Sequence, residues 1–318
     1  MDIQIIQPTQ KKVVQTDENN QAGVDLYGNI KHHKVEDVKI EVMSDSDCHQ
    51  TLEIGKDGSF SGVILLPVGW HKLTFKAIQE GIIIKQIQID QIGVGEVFVT
   101  AGQSNSANHG YPCQETTSGN VMALGLEGWQ VANDPQPIAT GEGGTPWPLL
   151  GDQFSQKLSR PIGFVSVGWG GTTVNQWQPS IQDGLYSRLR AVLKQLRPNG
   201  LRAILWHQGE SDTILGTSSD EYANRMEKVI RQSEMDIGQS VSWFIAEASY
   251  IGPDHQHKQT EIINGQRELV RRGFAAAGPT TDDLIGEQYR YDSIHFGQVG
   301  LEIHAQKWDA CLSRYFGW

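Results

Sequence analysis

Apolar residues recur at every second position up to about residue 92, and then the rhythm changes; no other feature of the chain constrains its fold as much. Val38, Ile40 and Val42 alternate with Lys39 and Glu41, and Leu73, Phe75 and Ala77 with Thr74 and Lys76. Ile87 and Ile89 alternate with Gln86, Gln88 and Asp90. A period of two marks a strand with one buried face. Turn signals such as Asp57-Gly58 and Pro67-Val68-Gly69 separate the runs. No helical stripe interrupts them, so residues 1–93 are expected to form a small antiparallel β-sandwich. His32, His33, His49 and His71 are expected at its surface or strand edges, and nothing there resembles a catalytic cluster, so it reads as an accessory domain.

After Gly93-Val94-Gly95, apolar runs lead into glycine-rich or polar turns and then into amphipathic stretches. The runs are EVFVTAG (96–102), IGFVSVG (162–168), LRAILW (201–206), VSWFIAEAS (241–249) and, more weakly, DDLIG (282–286). Leu150, Phe154 and Leu158 sit four apart, as do Tyr222 and Met226; Leu301, Ala305, Trp308, Leu312 and Tyr315 step by four and three. Strands alternating with helices predict a parallel sheet covered on both faces, here over residues 94–318. In such a sheet functional groups gather at the carboxyl ends of the strands.

Composition bounds the partners. A chain of 318 residues has room for two domains, and a formal charge of -11 without basic runs argues against nucleic acid and anionic membranes. No apolar run approaches the roughly 18 residues of a membrane span. The start, MDIQIIQPTQKK, lacks the grammar of a signal peptide. A trimmed periplasmic or extracellular chain is favoured, and a cytoplasmic one stays open, as does the oligomeric state. Cys48, Cys113 and Cys311 match neither a disulfide framework nor a zinc site, although one bridge is allowed. No metal or other cofactor is expected, because HHK (32–34) and HQH (255–257) lack further ligands at zinc spacing and no phosphate-binding glycine loop occurs.

The strand ends carry the chemistry. Ser104, in GQSN, follows the first strand of the second half, where a serine serves either as a helix cap or as a nucleophile. The Gly-x-Ser-x-Gly elbow of lipases is absent, since its fifth position holds Ser106. Gly170 and Gly171, in WGGTTVNQW, let backbone N–H groups approach a ligand. HQGESD places His207, Gln208, Glu210, Ser211 and Asp212 at another strand end, and YDSIHFG places Asp292 three residues before His295. Together these supply a nucleophile, a base, an orienting acid and oxyanion donors.

In these four blocks, over roughly residues 94–315, the chain resembles the SGNH (GDSL-type) hydrolases, and within them the sialic-acid acetylesterase and acetylxylan esterase branch, carbohydrate esterase family six. The resemblance implies a flavodoxin-like three-layer domain with Ser104 as nucleophile, His295 as base and Asp292 as its orienting acid. It implies an oxyanion hole of the Ser104 N–H, a glycine N–H (Gly171 favoured over Gly170) and the side-chain amide of Gln208, where the wider superfamily has Asn. Glu210 is the rival orienting acid. Glu210 and Asp212 are also expected to cap the next helix or brace the oxyanion loop, and His207 to pack beneath the sheet end. Asn105, His109 and Trp177 are candidates to touch substrate, although His109 also reads as a first-turn surface residue. Of the tryptophans, Trp129, Trp147, Trp169 and Trp177 fall in loops near the blocks, while Trp206 and Trp243 fall in strands.

The first expectation is therefore an esterase that removes acetyl groups from carbohydrates such as acetylated sialic acid or xylan. A lipid or thioester hydrolase on the same fold is the second. The third is an inactive glycan-binding protein.

Overall fold

A computed structural model describes residues 2–31, 37–197, 199–252 and 256–318. His32, His33 and His255 lie outside the described residues, as does the side chain of His257.

The first half is built from β1 (Asp2–Gln7), β2 (Val13–Gln15), β3 (Gln21–Lys31), β4 (Val38–Ser44), β5 (His49–Glu53), β6 (Ser59–Pro67), β7 (Gly69–Gln79) and the start of β8 (Ile82–Gly102). β1, β3 and β6 form an antiparallel sheet. β5, β4, β7 and β8 pair antiparallel in that order, with β2 parallel to β8 at residues 93–95. One apolar core joins the two sets: Val24, Leu26, Phe60 and Ile64 from the first meet Ile40, Val42, Phe75 and Ile92 from the second. The period-two reading holds residue by residue in β4, where Val38, Ile40 and Val42 are buried between more exposed neighbours. His71 departs from expectation. It is buried, with Nε2 2.7 Å from the Pro67 carbonyl and Nδ1 3.2 Å from Ser46 Oγ. It shares the inward parity of Leu73, Phe75 and Ala77, and these two contacts satisfy the ring.

The second half adds β9 (Val121–Gly125), β10 (Gly128–Val131), β11 (Ile162–Ser166), β12 (Ala203–His207), β13 (Ser242–Glu247) and β14 (Ala276–Thr280). Its helices are α1 (Trp147–Leu158), α2 (Tyr186–Leu196), α3 (Glu210–Leu215), α4 (Ser219–Ile237), α5 (Gln256–Arg271) and α6 (Gln298–Phe316). The strands run β10-β9-β11-β8-β12-β13-β14, all parallel except β10, within an eleven-stranded mixed sheet. Alternate residues of β8 separate the two faces. Val97, Val99 and Ala101 pack with Leu189 and Leu193 of α2 and Met226 and Ile230 of α4, whereas Phe98 packs with Leu150 and Phe154 of α1 and Trp308 of α6. The weak strand expected at 282–286 is instead a turn, and Ala276–Thr280 forms the edge strand. Small residues hide its signal. A Cβ on Gly278 would lie 2.8 Å from the Ala246 nitrogen, so the close approach to β13 requires glycine.

The expected boundary at 93/94 falls inside β8, which passes through it unbroken. Gly93 and Gly95 are packing residues there: a Cβ on Gly95 would sit 1.9 Å from the Pro161 carbonyl oxygen. Glu96, fully buried, follows at once. Its carboxylate accepts from Arg160 Nη1 (2.8 Å), Arg202 Nε (2.5 Å) and Gln15 Nε2 (2.9 Å), so β2, β8 and the segments before β11 and β12 meet on one anion. A Gly95→Ala variant is expected to lose about 1–3 kcal/mol, the usual cost of overpacking. The check is a lower urea midpoint at unchanged m-value.

Candidate active site

β8 ends at Gly102, where φ is +127° and a Cβ would fall 2.1 Å from the His207 carbonyl oxygen, a position only glycine takes without strain. The chain then forms a single 3-10 turn, Ser104–Ser106. Ser104 is its first residue rather than its cap, and its hydroxyl makes no hydrogen bond among the described residues. It is 4% exposed.

The last block forms a tight turn. Asp292 Oδ1 accepts from the N–H groups of Ile294 (3.0 Å) and His295 (2.6 Å), and Oδ2 lies 2.6 Å from His295 Nδ1. Burial pushes the Asp292 carboxyl up, but the hydrogen bonds from His295 and Ile294 outweigh it and hold the group below its ordinary value. It therefore stays ionised beside the imidazole. Two neighbours fix this turn. Fully buried Arg290 donates to the carbonyls of Leu284 (2.7 Å), Thr281 (3.1 Å) and Ile294. Asn105 Nδ2 bridges Glu210 Oε1 (2.9 Å) and the Ile294 carbonyl (3.4 Å), tying the serine turn to the histidine turn. Glu210 thus pairs with Asn105 while Asp292 holds the imidazole; burial raises the Glu210 pKa against the Asn105 hydrogen bond.

The two glycines differ. The Gly170 N–H donates to Thr140 Oγ1 at 2.9 Å, and a Cβ there would strike His109 Nε2 at 2.6 Å. Gly171 has φ +69°, open space where its Cβ would be, and an N–H with no acceptor among the described residues. Asp212 braces this loop from α3, accepting from the Val174 N–H (2.7 Å), Thr217 Oγ1 (2.8 Å) and Gln208 Nε2 (2.6 Å).

Two expectations need correction. Gln208 is fully buried, and its Nε2 points at Asp212, the Thr172 carbonyl (2.9 Å) and Gln103 Oε1 (3.2 Å), so both its N–H bonds are engaged inside the loop rather than aimed at a reacting oxygen. Trp177 is 0% exposed, packs edge-on against Trp206 and donates to Thr172 Oγ1 (3.1 Å), which leaves it no face for substrate. Trp147 opens α1 and is core, and Trp129 lies in β10, partly buried against the core on the other face of the sheet; of the four tryptophans expected in loops only Trp169 is exposed. His109 is no free surface residue, since its ring stacks on His295 with centroids 5.4 Å apart. Burial is the main cause that lowers its pKa, ahead of the nearby His295. His207 packs beneath the sheet end as expected, with Nε2 3.1 Å from Thr281 Oγ1. The three cysteines carry free thiols. Sequence reasoning overlooked Arg290, Gln103, Tyr111 and Tyr291; the adjacency of Tyr291 to Asp292 was the available signal.

The family described as carbohydrate esterase, sialic acid-specific acetylesterase matches residues 94–305, and the chain belongs to that family. It is a carboxylic ester hydrolase that removes O-acetyl groups from carbohydrates. A probable carbohydrate esterase of Arabidopsis thaliana is 26% identical over 239 residues, 65% of this chain and 88% of that one. The fold is similar to that of a carbohydrate acetylesterase from Xanthomonas citri, at TM-score 0.64 and 14% identity over 98% of this chain and 74% of that one. It is also similar to an Arabidopsis thaliana protein at TM-score 0.52 and 21% identity, over 69% and 98% of the two chains.

Burial lowers the His207 pKa from 6.5 to about 4, with the Arg290 charge adding to the effect. The unfolded imidazole then binds a proton at a pH where the folded one does not, so stability falls as pH drops through that window, by about 3 kcal/mol. Urea titrations at pH 7, 5.5 and 4 should show this loss, and a His207→Asn variant should show a shallower one.

Proposed function

We propose that Ser104 attacks the acetyl carbonyl, that His295 takes its proton, and that Asp292 orients and stabilises the imidazolium. The observation that carries this reading is the 2.6 Å approach of Asp292 Oδ2 to His295 Nδ1 on a turn that Asn105 ties to the serine. A serine hydroxyl is a weak nucleophile at neutral pH and needs such a base. The N–H groups of Ser104 and Gly171 receive the charge that develops on the carbonyl oxygen, often the largest single contribution to rate. His295 then protonates the departing sugar oxygen, which leaves as a hydroxyl, and water repeats the cycle on the acetyl-serine. Gln208 acts indirectly, by holding Asp212 and the Thr172 carbonyl where the glycine loop turns.

The strand order supports the finer architecture. With β9 and β10 set aside as additions at one edge, β11-β8-β12-β13-β14 reads 2-1-3-4-5 in chain order, the flavodoxin-like order, after a sandwich-like first half. Residues 1–93 and 94–318 serve as its two domains, sharing β8. Among the described residues no helix is long and apolar enough to cross a membrane.

Ser104→Ala should abolish acetate release from acetylated sugars with the fold intact by circular dichroism; appreciable turnover in that variant removes Ser104 as nucleophile. Asp292→Asn should lower kcat about ten-thousandfold by presenting the wrong imidazole tautomer. If Glu210→Gln is the crippled variant and Asp292→Asn the mild one, the orienting acid is Glu210.

His109 and Thr140 stand against Gly170 and Thr172 follows Gly171, so the acyl side offers polar neighbours beside the oxyanion glycines. Acetate should be preferred across p-nitrophenyl esters of two to eight carbons. A groove for lipid would instead add about 0.8 kcal/mol of binding per methylene, and kcat/KM rising toward octanoate would reveal one.

A further inference from the structure

Four rings run outward from the glycine loop. His109 stacks on His295 (5.4 Å between centroids), Tyr291 lies 6.3 Å from His295, and Tyr111 lies 5.8 Å from Tyr291. Among the described residues no ring contact joins His109 to Tyr291, so the four form a row with His295 inside it. The row has a direction. Its His109 end abuts Gly170, beside the N–H groups that would receive the acyl oxygen, and its other end opens to solvent, with Tyr291 51% and Tyr111 65% exposed. The acetyl group belongs at the first end. The alcohol, which takes its proton from His295, departs toward the second.

We propose that Tyr111 and Tyr291 form the subsite for the sugar ring that carries the acetyl group, and that this ring is an uncharged pyranose. The inference rests on the role given above to Ser104 and His295. A pyranose presents apolar C–H faces between polar edges, which suits stacking on a phenol ring, and the Tyr291 hydroxyl is held elsewhere. The Tyr291 ring is mounted in advance through its hydroxyl, and Tyr111 is anchored through its backbone. The Tyr291 N–H donates to the His295 carbonyl (3.0 Å) and its hydroxyl to the His109 carbonyl (3.1 Å), while the Tyr111 N–H donates to the Phe296 carbonyl (2.9 Å). A pre-set ring such as Tyr291 loses little freedom when a ligand arrives, so most of its stacking energy is available for binding. Charge selects the class of sugar. The Asp292 carboxylate, with 37% of its side chain exposed, stands beside Tyr291, and a carboxylated sugar would bring a second negative charge to it.

The test compares acetylated xylooligosaccharides with p-nitrophenyl acetate. In Tyr111→Ala the ratio of the two kcat/KM values should fall about tenfold, mainly through KM for the oligosaccharide, and Tyr111→Phe should restore it. A ratio within twofold of the parent's overturns the subsite. Calorimetry with deacetylated xylotetraose and the Ser104→Ala variant tests the subsite without chemistry: adding Tyr111→Ala should weaken binding about tenfold, and equal affinity overturns it. If Ser104→Ala keeps releasing acetate while the tyrosine effects appear, the nucleophile assignment fails and the subsite stands. Wild-type kcat/KM for an O-acetylated sialoside equal to or above that for the xylooligosaccharide overturns the uncharged ring.

Discussion

β8 is the member on which the rest is assembled. Its residues up to Gly95 pair with β7 and β2 of the first half and those from Glu96 onward with β11 and β12 of the parallel sheet, and Glu96, at that join, is a buried carboxylate held by Arg160, Arg202 and Gln15. A buried carboxylate is tolerable only while its partners stay in place, so this group penalises any slip of one half against the other. The same strand ends on Gly102, pressed against the β12 backbone, and that close approach sets where Ser104 emerges.

The second half of the site is placed by a different device. The turn bearing Asp292 and His295 belongs to no strand, and its position comes from Arg290 below and Asn105 beside it, which converge on the Ile294 carbonyl. Buried Glu210 faces Asn105 and lies within the field of Arg290, so a carboxylate, an amide and a guanidinium together register the His295 turn against the Ser104 turn. Such a network is stable only when each member keeps its partner. The Gly170-Gly171 loop is held likewise by Asp212 and Gln208.

Much of this was legible in the chain because it depends on local rules. Period-two runs became the strands of the first half, Leu150 and Phe154 the buried face of α1, and the three-residue spacing of Asp292 and His295 the observed pair. What escaped depends on long-range packing. Gly93-Val94-Gly95 reads as a joint, yet its glycines answer to Pro161 and Trp70, far along the sequence. Nothing in WGGTTVNQW tells that Trp177 turns inward while Trp169 stays exposed, because turn direction follows from the bond between the Val174 N–H and Asp212. The amide of Gln208 was misplaced for the same reason: its acceptors, Asp212 and Thr172, meet it only in three dimensions. Tyr111 and Tyr291 carry no motif of their own and become visible only as a row beside His295.

The central claim is that Ser104 is uniquely activated by the Asp292–His295 pair. The most direct measurement is peptide mapping by mass spectrometry after brief treatment of the folded protein with a fluorophosphonate, which bonds only to an activated hydroxyl. The account predicts a single adduct on Ser104, formed in the parent protein and nearly absent from a His295→Ala variant. Labelling of another residue, or labelling of Ser104 at the same rate without His295, would contradict it.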